Sequence, residues 1–225
     1  MLTPTQPSDH PEIPAERVGV LLINLGTPDA TDFWSIRRYL REFLSDRRVI
    51  EVNPLRWQVI LNLFILNVRP QIAGKAYREI WDTETNESPL RRYTREQSEG
   101  LGARLMAAGW DLDVDWAMRY GNPSIAEKLE AMRARGCRKI LLLALYPQYS
   151  AATTATAYDK AFVALGKMRW QPAIRTAPAY PDEPTYIEAL VKSVRAHLGG
   201  LDWEPDVLLA SFHGLPKSYF DAGDP

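Results

Sequence analysis

The residues best equipped for chemistry fall in a few short stretches, and the sharpest of these is Ser211-Phe-His-Gly-Leu-Pro216. Imidazole is the side chain best suited to taking up a proton or holding a divalent metal near neutral pH, so His213 is the first candidate for either role. Gly214 next to it lets backbone or ligand approach closely. A second candidate is Arg119, within Met118-Arg-Tyr-Gly-Asn-Pro123. Its guanidinium fork can clasp a carboxylate through two hydrogen bonds, and an ion pair within the protein would use it equally well. Third comes Tyr146-Pro-Gln-Tyr-Ser150, where Tyr146, Tyr149 and Ser150 offer hydroxyl groups just ahead of an expected helix. A helix N-terminus attracts carboxylates through its unpaired N–H groups, while half-buried packing of the tyrosines and a plain N-cap at Ser150 are the simpler uses.

Each of these groups stands where a strand should end. Val18-Gly-Val-Leu-Leu-Ile-Asn24 is a continuous apolar run, the pattern of a strand buried on both faces of a parallel sheet. It leads to Leu25-Gly-Thr-Pro28 and then to a helix capped near Thr31 or Asp32, with Phe33, Ile36, Leu40, Phe43 and Leu44 at helical spacing. Leu112 to Met118 alternates as a strand that delivers Arg119, and Asn122-Pro-Ser124 opens a helix with Ile125, Leu129 and Met132 on one face. Ile140 to Leu145 is the third strand, and Ser150 and Thr153 begin the helix after it. Thr94-Arg-Glu-Gln97 has the form of a capping box, opening a helix to about Ala108. Tyr186, Leu190, Val194 and Leu198 mark the inner face of the last full helix, ended by Gly199-Gly200. Val207-Leu-Leu-Ala-Ser-Phe-His213 then reads as one more buried strand, ending abruptly at the candidate histidine. Strands alternating with helices at this spacing argue a parallel α/β sheet, in which functional groups collect outside the carboxyl ends of the strands.

Composition narrows the classes. With 225 residues, 46% hydrophobic and 24% charged, the chain has the make-up of a soluble globular protein. Its 27 basic residues balance 28 acidic ones, so no basic field argues for nucleic acid. A single cysteine, Cys137, excludes an internal disulfide framework and fits a reducing compartment. Residues 1–17 are rich in Pro and polar groups, lack the apolar core of a signal peptide, and read as a disordered tail before a cytoplasmic domain. The most apolar stretch, Leu55 to Arg69, is too short and too interrupted to span a bilayer, which needs about 20 apolar residues. Buried helix and greasy lip are equally good readings of Trp57, Leu61, Phe64 and Ile65, and the same surface could touch a membrane interface peripherally. The turn after the first strand holds one glycine, far from the glycine-rich spacing of a dinucleotide site.

Four segments in order give the chain a family likeness: Asn24-Leu-Gly-Thr-Pro28, Met118-Arg-Tyr-Gly-Asn-Pro123, Tyr146-Pro-Gln-Tyr-Ser150, and Ser211-Phe-His-Gly-Leu-Pro216 with Gly223-Asp-Pro225. Together they resemble ferrochelatase, and the likeness runs from Val18 onward. The resemblance implies two similar Rossmann-like domains with parallel sheets and a cleft between them: residues 18–200 as the first and 201–225 as the start of a second that this chain leaves incomplete. An echo between Val20-Leu-Leu-Ile-Asn-Leu-Gly26 and Val207-Leu-Leu-Ala-Ser-Phe-His-Gly214 agrees with that division. The activity it implies is insertion of ferrous iron into protoporphyrin IX, with coproporphyrin or cobalt as alternative substrates and non-catalytic tetrapyrrole binding as a rival reading. It places His213 at the reaction centre as proton acceptor or iron ligand, a choice left open. It also puts Asn24, Leu25, Arg119, Tyr146, Tyr149 and Ser150 along the porphyrin, with the 55–69 stretch as an apolar flap. Iron is then substrate and not a resident cofactor. An iron–sulfur cluster, carried by some relatives on typically four cysteines, is not expected from one. The family's partner glutamate matches no residue here.

Overall fold

The computed structural model describes Asp9 and residues 16–225, so the expected tail at 1–17 lies almost wholly outside the described residues. Four strands, β1 (Arg17–Thr27), β2 (Asp113–Gly121), β3 (Cys137–Ala144) and β4 (Ala173–Thr176), form one sheet. Their order is β2-β1-β3-β4 and every pairing is parallel, as the apolar runs require. β4 carries no long apolar run in the sequence; only its pairing along Lys139–Leu142 of β3 defines it.

Between β1 and β2 come α1 (Phe33–Leu44), α2 (Pro54–Ile60), a π-helical turn (Leu61–Ile65), α3 (Leu66–Ile80) and α4 (Pro89–Ala107). The next connections carry α5 (Ile125–Ala134), then a second π-helical turn (Ala151–Ala155) running into α6 (Thr156–Gly166). Side chains of a strand alternate between faces, and here the two faces bury different partners. Leu21, Ile23, Ala117, Ile140 and Leu142 pack beneath α5 and α6 with Ile125, Leu129, Met132, Ala157 and Ala161. α4 lies against β1 and β2. A second cluster forms where α1 meets the α2–α3 region: Ile36, Tyr39, Leu40, Leu44, Leu61, Leu66 and Tyr120.

Capping follows the sequence closely in two places and departs in a third. Asp32 caps α1 by accepting from the N–H groups of Trp34 and Ser35, and Ser124 caps α5 through Glu127. α4 begins earlier than Thr94, at Pro89, because Ser88 accepts from the Arg91 N–H (3.2 Å) and Pro89 suits a first helical position. Thr94 is instead buried within the helix: its hydroxyl donates to the Leu90 carbonyl and accepts from Asn24 Nδ2, tying α4 to β1.

Two C-terminal expectations are corrected. Val207–Phe212 forms no strand; it is extended, unpaired and exposed, with Leu209 at 88% exposure. A buried parallel strand needs neighbours to take its N–H and C=O groups, and among the described residues none lies beside this run. The helix α7 (Pro184–Gly199) has its expected apolar spacing but buries none of its residues, leaving Leu190 and Val194 exposed. Residues 201–225 contain one helix, α8 (Lys217–Asp221), and no sheet of their own.

One turn is decisive for the sheet. Gly26 has φ +111° and pairs opposite Tyr120, and a Cβ built on it would lie 1.9 Å from the Tyr120 carbonyl oxygen. Both the conformation and the contact exclude any side chain. Gly26→Ala is therefore expected to lower unfolding stability by about 3 kcal/mol or more, or to prevent folding, measured by urea denaturation against wild type.

Candidate functional site

The strand order creates the site. β1 pairs with β3 only as far as Ile23 opposite Ala144, where the Leu145 N–H donates to the Ile23 carbonyl (2.8 Å), while β1 continues beside β2 to Thr27. Beyond that point β1 continues without β3 at its side, so Asn24–Thr27 and the 145–150 loop leave the carboxyl edge of the sheet separately. This is the topological switch point, where chain connections leave in opposite directions and where open α/β sheets bind ligands.

Asn24 and Leu25 form one wall. The Asn24 amide is held by Thr94 (3.0 Å) and accepts from the Leu25 N–H (2.8 Å), so it is locked as a positioning group; Leu25 packs against the α1–α3 cluster. Tyr146 stands on the other wall against the α5–α6 core, and its hydroxyl is buried with no hydrogen-bond partner among the described residues. Burial pushes that phenol far up from its ordinary range, with Tyr120 adding to the effect and the Arg119 charge opposing it. The group is thus a neutral donor with nothing to donate to among the described residues, available to a polar ligand atom. Tyr149 is exposed at the loop's outer end.

Ser150 is only 4% exposed and does more than cap the following helix. It accepts from the Ala152 N–H (3.2 Å) and donates to the Asp224 carboxylate (2.9 Å). The Ala151 N–H also points at both Asp224 oxygens (3.1 and 3.0 Å). The helix end that the sequence offers to a ligand carboxylate is therefore filled by a carboxylate of the chain itself. His213 lies on the exposed 207–216 segment and makes no hydrogen bond among the described residues. The structure sets Asn24 and Leu25 at the end of β1 and Tyr146, Tyr149 and Ser150 in the segment after β3, each held by its own contacts, and His213 makes no hydrogen bond to any of them among the described residues.

Arg119 has a different place from the one the sequence suggests. It is buried, its Nε donates to Thr156 Oγ1 (2.7 Å), and its terminal nitrogen pairs with Asp46 Oδ2. The Thr156 and Tyr120 hydroxyls donate to the same Asp46 oxygen, Glu42 stands 3.9 Å from the guanidinium, and the Tyr120 ring lies beneath it. Nε and one terminal nitrogen are engaged and the other faces Glu42 at 3.9 Å, so Arg119 serves here as an internal ion pair. Asp46, Thr156 and Asp224 are the residues that sequence reasoning does not single out. Asp46 and Arg119 are 73 positions apart with no motif joining them, whereas Asp224 sits inside the Gly-Asp-Pro segment and carries that one signal.

The 55–69 stretch divides by face. Leu61 is fully buried, Trp57 and Ile65 pack on the second cluster, and the Trp57 indole donates to the Leu44 carbonyl (2.6 Å). Phe64 is 66% exposed, with Leu55, Val59, Ile60, Leu63 and Val68 also exposed on the same segment. No helix among the described residues is long and apolar enough to cross a membrane.

A four-stranded, all-parallel α/β sheet with helices packed on it and a switch point between β1 and β3 is the architecture of a chelatase-type, Rossmann-like domain. The ferrochelatase family model matches residues 17–225, and the chain belongs to that family. It is 60% identical over 220 residues to a protein named ferrochelatase from Rhizobium etli, covering 98% of this chain and 64% of that protein. To those of Rhizobium johnstonii and Agrobacterium fabrum it is 61% and 60% identical, covering 98% and 97% of this chain. The chain spans about 64% of the length of the relatives it matches.

Burial raises the pKa of Asp46, but hydrogen bonds from Thr156, Tyr120 and the Arg48 N–H, together with the Arg119 charge, outweigh it and hold the carboxyl below its usual range. A carboxyl with a depressed native pKa contributes stability above its unfolded value of about 3.9 and loses it as pH falls through the native value. Removing one member of such a buried pair costs about 3–5 kcal/mol. Asp46→Ala is expected to destabilise by about 3 kcal/mol at pH 7 in urea unfolding, and its gap to wild type should narrow below about pH 4.

Proposed function

We propose that the whole protein inserts ferrous iron into protoporphyrin IX to form protohaem, the terminal step of haem biosynthesis. The observation that carries this reading is the family match across residues 17–225, which includes His213. In the reaction one Fe(II) enters the macrocycle and two pyrrole protons leave, so the protein must hold the porphyrin, accept protons and pass a labile metal. The crevice suits the first of these, with Asn24 and Leu25 on one wall, Tyr146 and Tyr149 on the other, and the Tyr146 hydroxyl free to donate. Ser150 acts at its edge through the 145–150 loop. Weakly held iron needs nitrogen and oxygen ligands that release it, and neutral imidazole serves either as that ligand or as the proton acceptor. His213 is the residue we assign to this centre.

Arg119 enters the proposal as a framework residue shaping the crevice edge. The exposed apolar side chains around Phe64 support a lip that admits a flat, poorly soluble ligand, and peripheral contact with a membrane from a cytoplasmic location. Iron is substrate in this scheme. The chain's one cysteine, Cys137, is buried on β3 beside Asp113, and the proposal assigns it no cluster.

The test is ferrous-dependent formation of protohaem by the full-length protein, followed in the visible spectrum. His213→Ala should lower kcat by about a hundredfold or more while porphyrin still binds, the scale of loss for a positioned acid–base group. Porphyrin binding without metallation by the wild-type protein would replace this reading with a carrier role. Phe64→Asp with Leu63→Asp should reduce sedimentation with phospholipid vesicles and leave the thermal midpoint within about 3 °C, because both side chains are already exposed.

A further inference from the structure

We infer that Asp224 is a positioning residue for the reaction centre: its carboxylate pins the segment bearing His213 to the turn between β3 and α6. The inference rests on the reading of His213 given above and adds a device that holds it. From Asp202 to Ser218 every residue except Pro205 is exposed, and no strand pairing fixes the run. Side chains tie the far end of that run to the rest of the fold at two places. The Tyr219 hydroxyl donates to the Val49 carbonyl (2.8 Å), beyond α1, and Asp224 accepts from the Ser150 hydroxyl and the Ala151 N–H. These contacts join residues 170 and about 74 positions apart, so neither arises from local chain geometry.

The Asp224 contact is specific for a carboxylate. Its two oxygens take one hydroxyl and one amide that point outward from the start of a helix running from Ala151 to Gly166. Ser150 already caps that helix through Ala152, so the helix does not need Asp224 for its own N-terminus. What Asp224 adds is a tether. His213 precedes α8 by four residues, a stretch that spans at most about 14 Å when fully extended. Fixing α8 at Val49 and Asp224 after it at Ser150–Ala151 therefore keeps the imidazole within about 14 Å of an anchored helix. The same contact fills the helix end, so a porphyrin carboxylate does not seat there.

The first test needs no catalysis. In this chain, Asp224→Ala and Ser150→Ala should each raise the rate of proteolytic cleavage within residues 201–216 by about tenfold, the ratio for loss of a charge-assisted hydrogen bond. The urea midpoint should stay unchanged for Asp224→Ala, whereas Ser150→Ala also loses the cap on Ala152 and should unfold at slightly lower urea. The double variant should be no faster than Asp224→Ala alone, because that change already removes both the hydroxyl and the amide contact. Unchanged cleavage in both single variants, or additive effects, would overturn the pin. The second test uses the full-length protein. There Asp224→Ala should lower kcat with KM for porphyrin within about twofold, and Asp224→Asn, which keeps an acceptor oxygen, should recover part of the loss. A raised KM at unchanged kcat would instead assign the Ser150 socket to substrate. If the wild-type full-length protein makes no metalloporphyrin, the functional reading falls, and the cleavage cycle still decides the pin.

Discussion

A buried carboxylate holds the crevice end of this fold together. Asp46 lies just past α1, and its single oxygen Oδ2 receives Arg119 from β2, Tyr120 from the same strand and Thr156 from α6. The connection after α1, the end of β2 and the helix after β3 are thereby fastened to one point. Nearby, Glu42 accepts from the Gly121 N–H (2.9 Å) and from Lys160 (3.2 Å), and Arg48 pairs with Asp159 (2.5 Å), so the fastening is repeated around its rim. Burying a charge is costly unless its partner and hydrogen bonds are complete, and here they are complete. Such a hub tolerates little: each member becomes an unpaired buried group if another is removed.

The hub explains why the crevice can exist beside a packed core. At the switch point β3 departs from β1, and the walls would drift without ties that cross the gap between layers. On one side Asn24 is clamped by Thr94 of α4; on the other, Tyr180 donates to the Ala144 carbonyl (3.2 Å) and Tyr158 to the Ala177 carbonyl (2.9 Å) beneath the 145–150 loop. Gly26 allows β1 to close against Tyr120 at the same level. One buried hydroxyl at this level, that of Tyr146, is left without a partner among the described residues. A preformed wall with a free donor suits binding of a flat, mostly apolar ligand bearing few polar atoms.

Rigidity is not uniform. The α2–α3 region turns Leu61 and Leu66 inward and leaves Phe64 and its neighbours bare, and α7 with the 207–216 segment leaves a further apolar surface uncovered. These surfaces sit in a chain that spans about 64% of its relatives' length. Tyr219 and Asp224 tie the C-terminal segment back to the stretch after α1 and to the turn after β3.

Much of this was legible in the residues alone. The apolar runs at Val18–Asn24 and Ile140–Leu145 declared buried parallel strands, the spacing of Ile125, Leu129 and Met132 declared the inner face of α5, and four ordered motifs declared the family, because period and motif are local properties of the chain. The rest depended on what meets what. Val207–Ala210 has a strand's composition yet no neighbour to pair with; β4 has little of that composition and pairs with β3 nonetheless. Leu190 and Val194 keep helical spacing on a face that nothing covers. Arg119 reads as an open fork until Asp46, 73 residues away, fills it, and Ser150 reads as an open helix end until Asp224 arrives. Sequence alone determined β1, β2 and β3, the inner face of α5 and the family; the tertiary structure alone decided which charges are neutralised inside the fold, because a carboxylate's partner is set by distance in space and leaves no mark in sequence spacing.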